Sequence, residues 1–322
     1  MQAILAVTVP FFALVLAGYL AGRRHVLPES AIPGLNAFVL YFALPCMLFR
    51  FGMNTPILEL LNPVVMAVYL LCALGVVGFT VATTLSGRVH LKDASFGALV
   101  AAFPNSGFMG VPLLVALLGP AAAGTVICSL LVDLFVTSSL CIALAQAHEA
   151  SGQGPRAAAA RALRGTLSNP LPWSIALGAL CSVSGLRLSG PLDAVVRMLA
   201  DAATPVALFT IGTVLWRAGQ HAHARTPVAL YLPVALVKLL LHPLLVFGVG
   251  AAARQLGAPL SGLQLTVLTL TAALPCASNV SLLAERYGAD NGRIARIIMS
   301  STLIAFVSFT LLAFAFGVRP GG

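Results

Sequence analysis

Charge is what this sequence most lacks: Asp and Glu together number nine, and charged residues make up 8% of the chain. A water-exposed surface needs far more, so the composition excludes an ordinary soluble globular domain. Hydrolytic and zinc motifs are missing as well. No G-x-S-x-G elbow and no H-E-x-x-H pair occurs, and Ser106 with His242 is the only imaginable nucleophile and base for an intramembrane hydrolase. None of the six cysteines (Cys46, Cys72, Cys128, Cys141, Cys181, Cys276) falls in a hydrophilic loop, so packed free thiols are expected rather than a disulfide framework. The first apolar stretch has no basic region ahead of it and continues through Ala13–Leu20, which reads as a retained helix rather than a cleaved signal.

What the sequence has instead is apolar length. Hydrophobic residues make up 59% of the chain and the mean hydropathy is +1.00, which makes lipid the expected solvent. A hydrocarbon core of roughly 30 Å takes about 20 apolar residues per helix, so the length allows about ten crossings. Apolar runs near residues 2–22, 35–51, 63–85, 94–118, 121–146, 171–186, 199–216, 228–253, 263–284 and 294–316 read as those spans.

The net charge of +9 is a topology signal. Twelve Lys and Arg residues follow odd-numbered spans, among them Arg23, Lys92, Arg217 and Arg293; five lie on the other side, including Arg50 and Arg254. Lys238 lies inside a span. The positive-inside rule then places both termini outside the cytoplasm, and no nucleic-acid partner is expected.

An offset of 160 residues matches Pro10 with Pro170, Gly18 with Gly178, Ala43 with Ala203, Pro45 with Pro205, Leu48 with Leu208 and Phe49 with Phe209. This predicts a duplication: residues 1–146 as one five-helix repeat, 147–170 as a cytoplasmic linker, and 171–322 as the second repeat. An odd number of helices per half inverts the second repeat, a recurrent design of secondary transporters.

The fourth span of each half is interrupted. Pro104-Asn105-Ser106-Gly107-Phe108-Met109-Gly110-Val111-Pro112 concentrates prolines and glycines, which remove backbone donors and helix propensity. Pro275-Cys276-Ala277-Ser278-Asn279 repeats the pattern in the ninth span. Backbone groups freed within a membrane need buried protein, water or a ligand. The paired breaks therefore predict a binding site, with Pro104, Pro112 and Pro275 breaking the helices and half-helix amides presented to an anion.

Two ionisable groups lie within spans. Asp133 is expected to bind a cation, carry a proton, or position Asn105 or Asn279. Lys238, too central to reach water, is expected to pair with a carboxylate or the substrate, with Asp133 as one candidate. Asp201 is a further possible buried acid, whereas His242 reads as a packing residue beside Pro243.

Pro104 through Leu114 resembles the PNTLVMGIPLL stretch of the auxin efflux carrier family, which includes plant PIN-formed carriers and bacterial malonate and malate permeases. Pro275 through Ala284 with Tyr287, Leu35-Asn36 with Leu44-Pro45, and Lys238 with Pro243 extend the resemblance along the chain. It implies an all-α membrane fold of ten helices, with a scaffold from spans 1, 2, 6 and 7. Spans 3–5 and 8–10 would form a moving, elevator-like transport domain with two crossing broken helices. Homodimerisation through the scaffold is also implied, and Asn105 matches the crossover asparagine implicated in carboxylate binding.

Ser278 and Asn279 replace apolar residues of the plant carriers, and their long central loop is missing. A bacterial inner-membrane organic-acid permease fits better. The expected function is secondary transport of a small organic anion such as malonate or malate by alternating access. The substrate would lie among Asn105, Ser106, Gly107, Ser278 and Asn279. No cofactor or metal centre is expected; the coupling ion is expected to be a proton, with sodium as the alternative. An auxin-like aromatic monocarboxylate, a membrane sensor and an intramembrane hydrolase are the competing readings.

Overall fold

In the computed structural model, residues 1–147, 169–220 and 226–318 are described. The expected linker lies almost wholly outside them. The fold is all-helical, with no named strand among the described residues. Its helices are α1 (Gln2–Arg23), α2 (Ala31–Asn54), α3 (Ile57–Thr84), α4 (Leu91–Ala102), α5 (Ser106–Leu118) and α6 (Ala122–Gln146). After the linker follow α7 (Pro170–Ser184), α8 (Gly190–Gln220), α9 (Val228–Gln255), α10 (Gly262–Ala272), α11 (Val280–Arg286) and α12 (Asn291–Ala315).

Seven of these (α1, α2, α3, α6, α8, α9 and α12) are long and apolar enough to cross a membrane, and α5, α7 and α10 are shorter apolar helices. The expected fourth span is two helices, α4 and α5, and the expected ninth span is α10 and α11. The expected seventh span is longer than its apolar run: α8 begins at Gly190, and Asp193 and Arg197 keep its first turns from reading as apolar.

Helix α1 packs along α8, and α2 along α7. Both contacts rest on glycines that let two backbones touch. A Cβ on Gly18 would collide with the Phe209 carbonyl oxygen, and one on Gly178 with the Phe49 carbonyl oxygen. Gly212 sits against the Val15 carbonyl, and Gly52 against the Ile175 carbonyl. In each case one contact becomes the other when 160 is added to one residue number and subtracted from the other. Residues matched in the sequence thus exchange partners in space. Small residues at such crossings bring helices close enough for dispersion to act where no hydrophobic force separates helix from lipid.

Among the described residues there are four π-helical turns: Val39–Ala43, Asp133–Thr137 and Val237–Leu241 interrupt α2, α6 and α9, and Ser106–Gly110 opens α5. Three lead directly into Pro45, Pro112 and Pro243, whose missing N–H and bulky ring a widened turn accommodates. Pro112 therefore does not break its helix as the sequence suggested; it occupies the first turn of the α-helical part of α5. The Asp133–Thr137 turn has no proline, and the Ser138 hydroxyl donates to the Asp133 carbonyl at 2.8 Å.

Cys72, Cys128, Cys141 and Cys276 are buried, Cys46 and Cys181 are half-buried, and all six are free thiols, as their apolar settings predict.

Candidate functional site

The break between α4 and α5 spans Phe103–Asn105, and that between α10 and α11 spans Ala273–Asn279. Proline explains both: Pro104 and Pro275 cannot donate, and the residue before each is disfavoured from helical geometry. The two extended segments lie antiparallel. Asn105 N donates to the Pro275 carbonyl at 2.8 Å, and Ala277 N donates to the Phe103 carbonyl at 3.0 Å, with Pro104 facing Cys276. Each break thus satisfies the other's main chain where no water is at hand. Cys276 N finds a third partner in Ser301 Oγ of α12, at 3.2 Å.

Each helix restarts on an asparagine carbonyl, as a π-turn after Asn105 and as an α-helix after Asn279. The Asn105 carbonyl accepts from Met109 and Gly110 N at 3.1 and 2.9 Å, and the Asn279 carbonyl from Leu282 and Leu283 N at 3.1 and 3.3 Å. Asn105 is buried and Asn279 half-buried, and both line one narrow cavity with Pro104 and Gly107. Ser106 is fully buried, and its Oγ has no partner. Ser278 and Asn279 also line a cavity of about 270 Å³ bounded by Asn36 and Tyr41 of α2 and by Arg217 of α8. The structure therefore brings Asn105, Gly107 and Asn279 together, with Ser278 on the adjoining wall. A cavity of about 520 Å³ lies between α2, α5 and α8, bounded by Arg50 and Asp201.

Asp201 is exposed, not buried, and its carboxylate lies 3.8 Å from Arg50 Nη1. The charges within the spans are also arranged differently from expectation. Asp133 is fully buried but contacts neither Asn105 nor Asn279: Tyr69 OH donates to its Oδ2 at 2.8 Å and Thr137 Oγ1 to its Oδ1 at 3.1 Å. Lys238 Nζ donates to the Ala272 carbonyl at 2.5 Å and lies 3.3 Å from His242 Nδ1. Among the described residues no carboxylate comes within 4 Å of Lys238, so the expected ion pair with Asp133 does not form. The reason is positional. Ala272 ends α10, and the break leaves its carbonyl without a helical partner, which a buried ammonium at the negative end of the half-helix supplies.

His242 is fully buried, and its ring centroid lies 5.7 Å from that of Tyr69. Thr137, Asp133, Tyr69, His242, Lys238 and Ala272 thus form a chain of contacts from α6 through α3 and α9 to the broken helix. Tyr69 and Ser301 were not singled out by sequence, and His242 was read there as a packing residue rather than as part of the site. A tyrosine within the apolar run of the third span was the available signal for the first; nothing marked Ser301.

Seven membrane-length apolar helices around two mutually bonded breaks define a polytopic integral membrane protein. The model of the membrane transport protein family matches residues 3–313, and the chain belongs to that family, which is also that of the auxin efflux carriers. It is a family of transporters, not of enzymes. Among curated relatives, a Rhizobium meliloti (strain 1021) protein named "Putative malonate transporter" is 28% identical, over 100% of this chain and 98% of its own. An uncharacterized transporter of Methanothermobacter thermautotrophicus is 26% identical over 92% and 93% of the two chains. The uncharacterized transporter YfdV of Escherichia coli (strain K12) is 25% identical over 86% of each.

Proposed function

We propose that this protein is a secondary active transporter of a small organic anion, malonate or a similar carboxylate, working by alternating access. The observation that carries the reading is the pair of hydrogen bonds joining the two breaks, Asn105 N to Pro275 O and Ala277 N to Phe103 O. On this reading they join the two broken helices into one crossover, whose Asn105 and Asn279 line the same cavity. The carboxylate binds there, accepting from the two Asn amides, the Ser106 and Ser278 hydroxyls and the first amides of α5, including that of Gly107. The name of the Rhizobium relative supports the choice of malonate.

The reciprocal contacts of Gly18 and Gly178 support an inverted duplication of ten spans in which α1, α2, α7 and α8 form the scaffold. The remaining helices carry the crossover as an elevator-like transport domain. Ser278 and Asn279 open to the cavity at Arg217. With the Lys and Arg excess on that side it is the cytoplasmic one, so this conformation faces inward, with both termini outside the cytoplasm of a bacterial inner membrane. The protein pairs as a homodimer through scaffold faces such as that of α7, where Leu177, Leu180 and Val183 are exposed. Coupling is to protons, with Asp133 as the carrier, or to sodium held by carbonyls freed at the breaks.

The test is uptake of labelled malonate, malate, lactate and indole-3-acetate into proteoliposomes, with pH and sodium gradients imposed separately. Malonate or malate uptake is expected, lowered about tenfold or more by Asn105→Ala or Asn279→Ala through loss of charge-assisted hydrogen bonds. Binding without uptake overturns the carrier reading, unchanged transport in both variants overturns the site, and uptake of indole-3-acetate alone makes the cargo an aromatic monocarboxylate.

A further inference from the structure

Arg293 was counted among the loop bases that set topology, yet at the start of α12 its residue is only 2% exposed. Its Nε donates to the Leu230 carbonyl at 2.8 Å and its Nη1 to the Asp93 carbonyl at 2.9 Å, which ties the beginnings of α9 and α4 to α12. Gly97 makes room: a Cβ there would lie 2.9 Å from Nη1. The other terminal nitrogen, Nη2, is buried with no partner. Among the described residues no carboxylate lies within 4 Å of the guanidinium. The nearby acids are turned to main-chain work: Asp93 Oδ1 accepts from Asp290 N at 2.8 Å, and Asp290 Oδ1 from Arg293 N at 2.9 Å. A buried cation with an idle donor and no contacting counter-charge is costly unless something completes it.

A cavity of about 210 Å³ bounded by Arg293 lies beside it, between the end of α3 and the start of α9. The α3 wall carries Thr80, Thr83 and Thr84. Thr83 and Thr84 donate to main-chain carbonyls of their own helix, but Thr80 Oγ1 is buried without a partner. The α9 wall is apolar, through Leu230, Pro233 and Val234. One cation, the buried uncommitted hydroxyl of Thr80, the exposed Ser86 and an apolar wall suit an oxyanion attached to, or beside, hydrocarbon. The cavity sits where α3 ends and α4, α9 and α12 begin, and the ends of spanning helices are where a membrane protein meets lipid phosphates.

We propose that this cavity is a phosphate-binding site, separate from the crossover, in which Arg293 supplies the charge and Thr80 a hydroxyl donor. The phosphate comes from a lipid headgroup or from solution. The test is native mass spectrometry of the full chain in detergent, titrated with phosphatidylglycerol and separately with inorganic phosphate. Wild type is compared with Thr80→Val and Arg293→Lys, each first checked for an unchanged gel-filtration profile. Binding of at least one ligand is expected, weakened about fivefold or more by Thr80→Val, a near-isosteric change that leaves the Arg293 clamp intact. Arg293→Lys should weaken it further. Retention of the lipid alone supports a headgroup source, and binding of inorganic phosphate with the same losses supports a soluble one. Wild type binding neither ligand, or Thr80→Val binding both as wild type does, overturns the site.

Discussion

Tyr69 and Lys238 flank His242 in one buried chain of contacts, and each completes a group that burial would otherwise strand. The phenol donates to a carboxylate, and the ammonium donates to the last carbonyl of a half-helix. Tyr69→Phe leaves a buried carboxyl oxygen of Asp133 without its donor, so a loss of about 1–3 kcal/mol is expected in thermal unfolding in detergent. Lys238→Met leaves the Ala272 carbonyl unsatisfied in an apolar setting and should cost about 1–3 kcal/mol by the same assay. An unchanged midpoint in either variant would show that water replaces the lost partner. Sequence marked Asp133 and Lys238, because a charge in an apolar run needs a reason. It could not give their partners, since a helix turn apart on one strand of sequence says nothing about which of several neighbouring helices a side chain faces. Ser301 was invisible for a related cause: an isolated serine in a membrane helix is common, and only the fold places it against Cys276 N.

Among the elements, the broken helices were readable because proline and glycine act locally, whatever the tertiary setting. Pro112 shows where that reasoning stops: a π-turn ahead of it absorbs what would otherwise be a break. The helix pairs α1 with α8 and α2 with α7 depend on Gly18 and Gly178, whose Cα atoms lie against neighbouring backbone rather than against a side chain that could turn aside. Gly18→Ala and Gly178→Ala should therefore each lower stability by about 1–3 kcal/mol, a backbone shift being the only relief. Gly78, with nothing within 4 Å of its added Cβ, should accept alanine without loss, and comparing the three unfolding midpoints checks this. The 160-residue offset predicted these pairs as equivalents, although not that they would trade partners.

For the whole molecule, the excess of Lys and Arg beyond odd-numbered spans predicts a definite orientation. Cysteines placed singly at Gln2 and at Arg88, in a background with the six native cysteines replaced, should react differently with a membrane-impermeant maleimide applied to intact cells. The first should be labelled and the second protected; the reverse pattern would invert the topology and with it the side to which the proposed crossover opens. Arg293 tempers that count, because one of the tallied bases is a buried clamp rather than a residue facing the cytoplasm.

The two hydrogen bonds between the breaks limit how the molecule can move. Parting the breaks would strand two donors and two acceptors among buried residues, at several kcal/mol for each group left unsatisfied. Under the proposed alternating access, helices α4, α5, α10 and α11 would then travel together, and an anion lodged between Asn105 and Asn279 would be carried as a passenger within one moving body rather than handed from one half to the other.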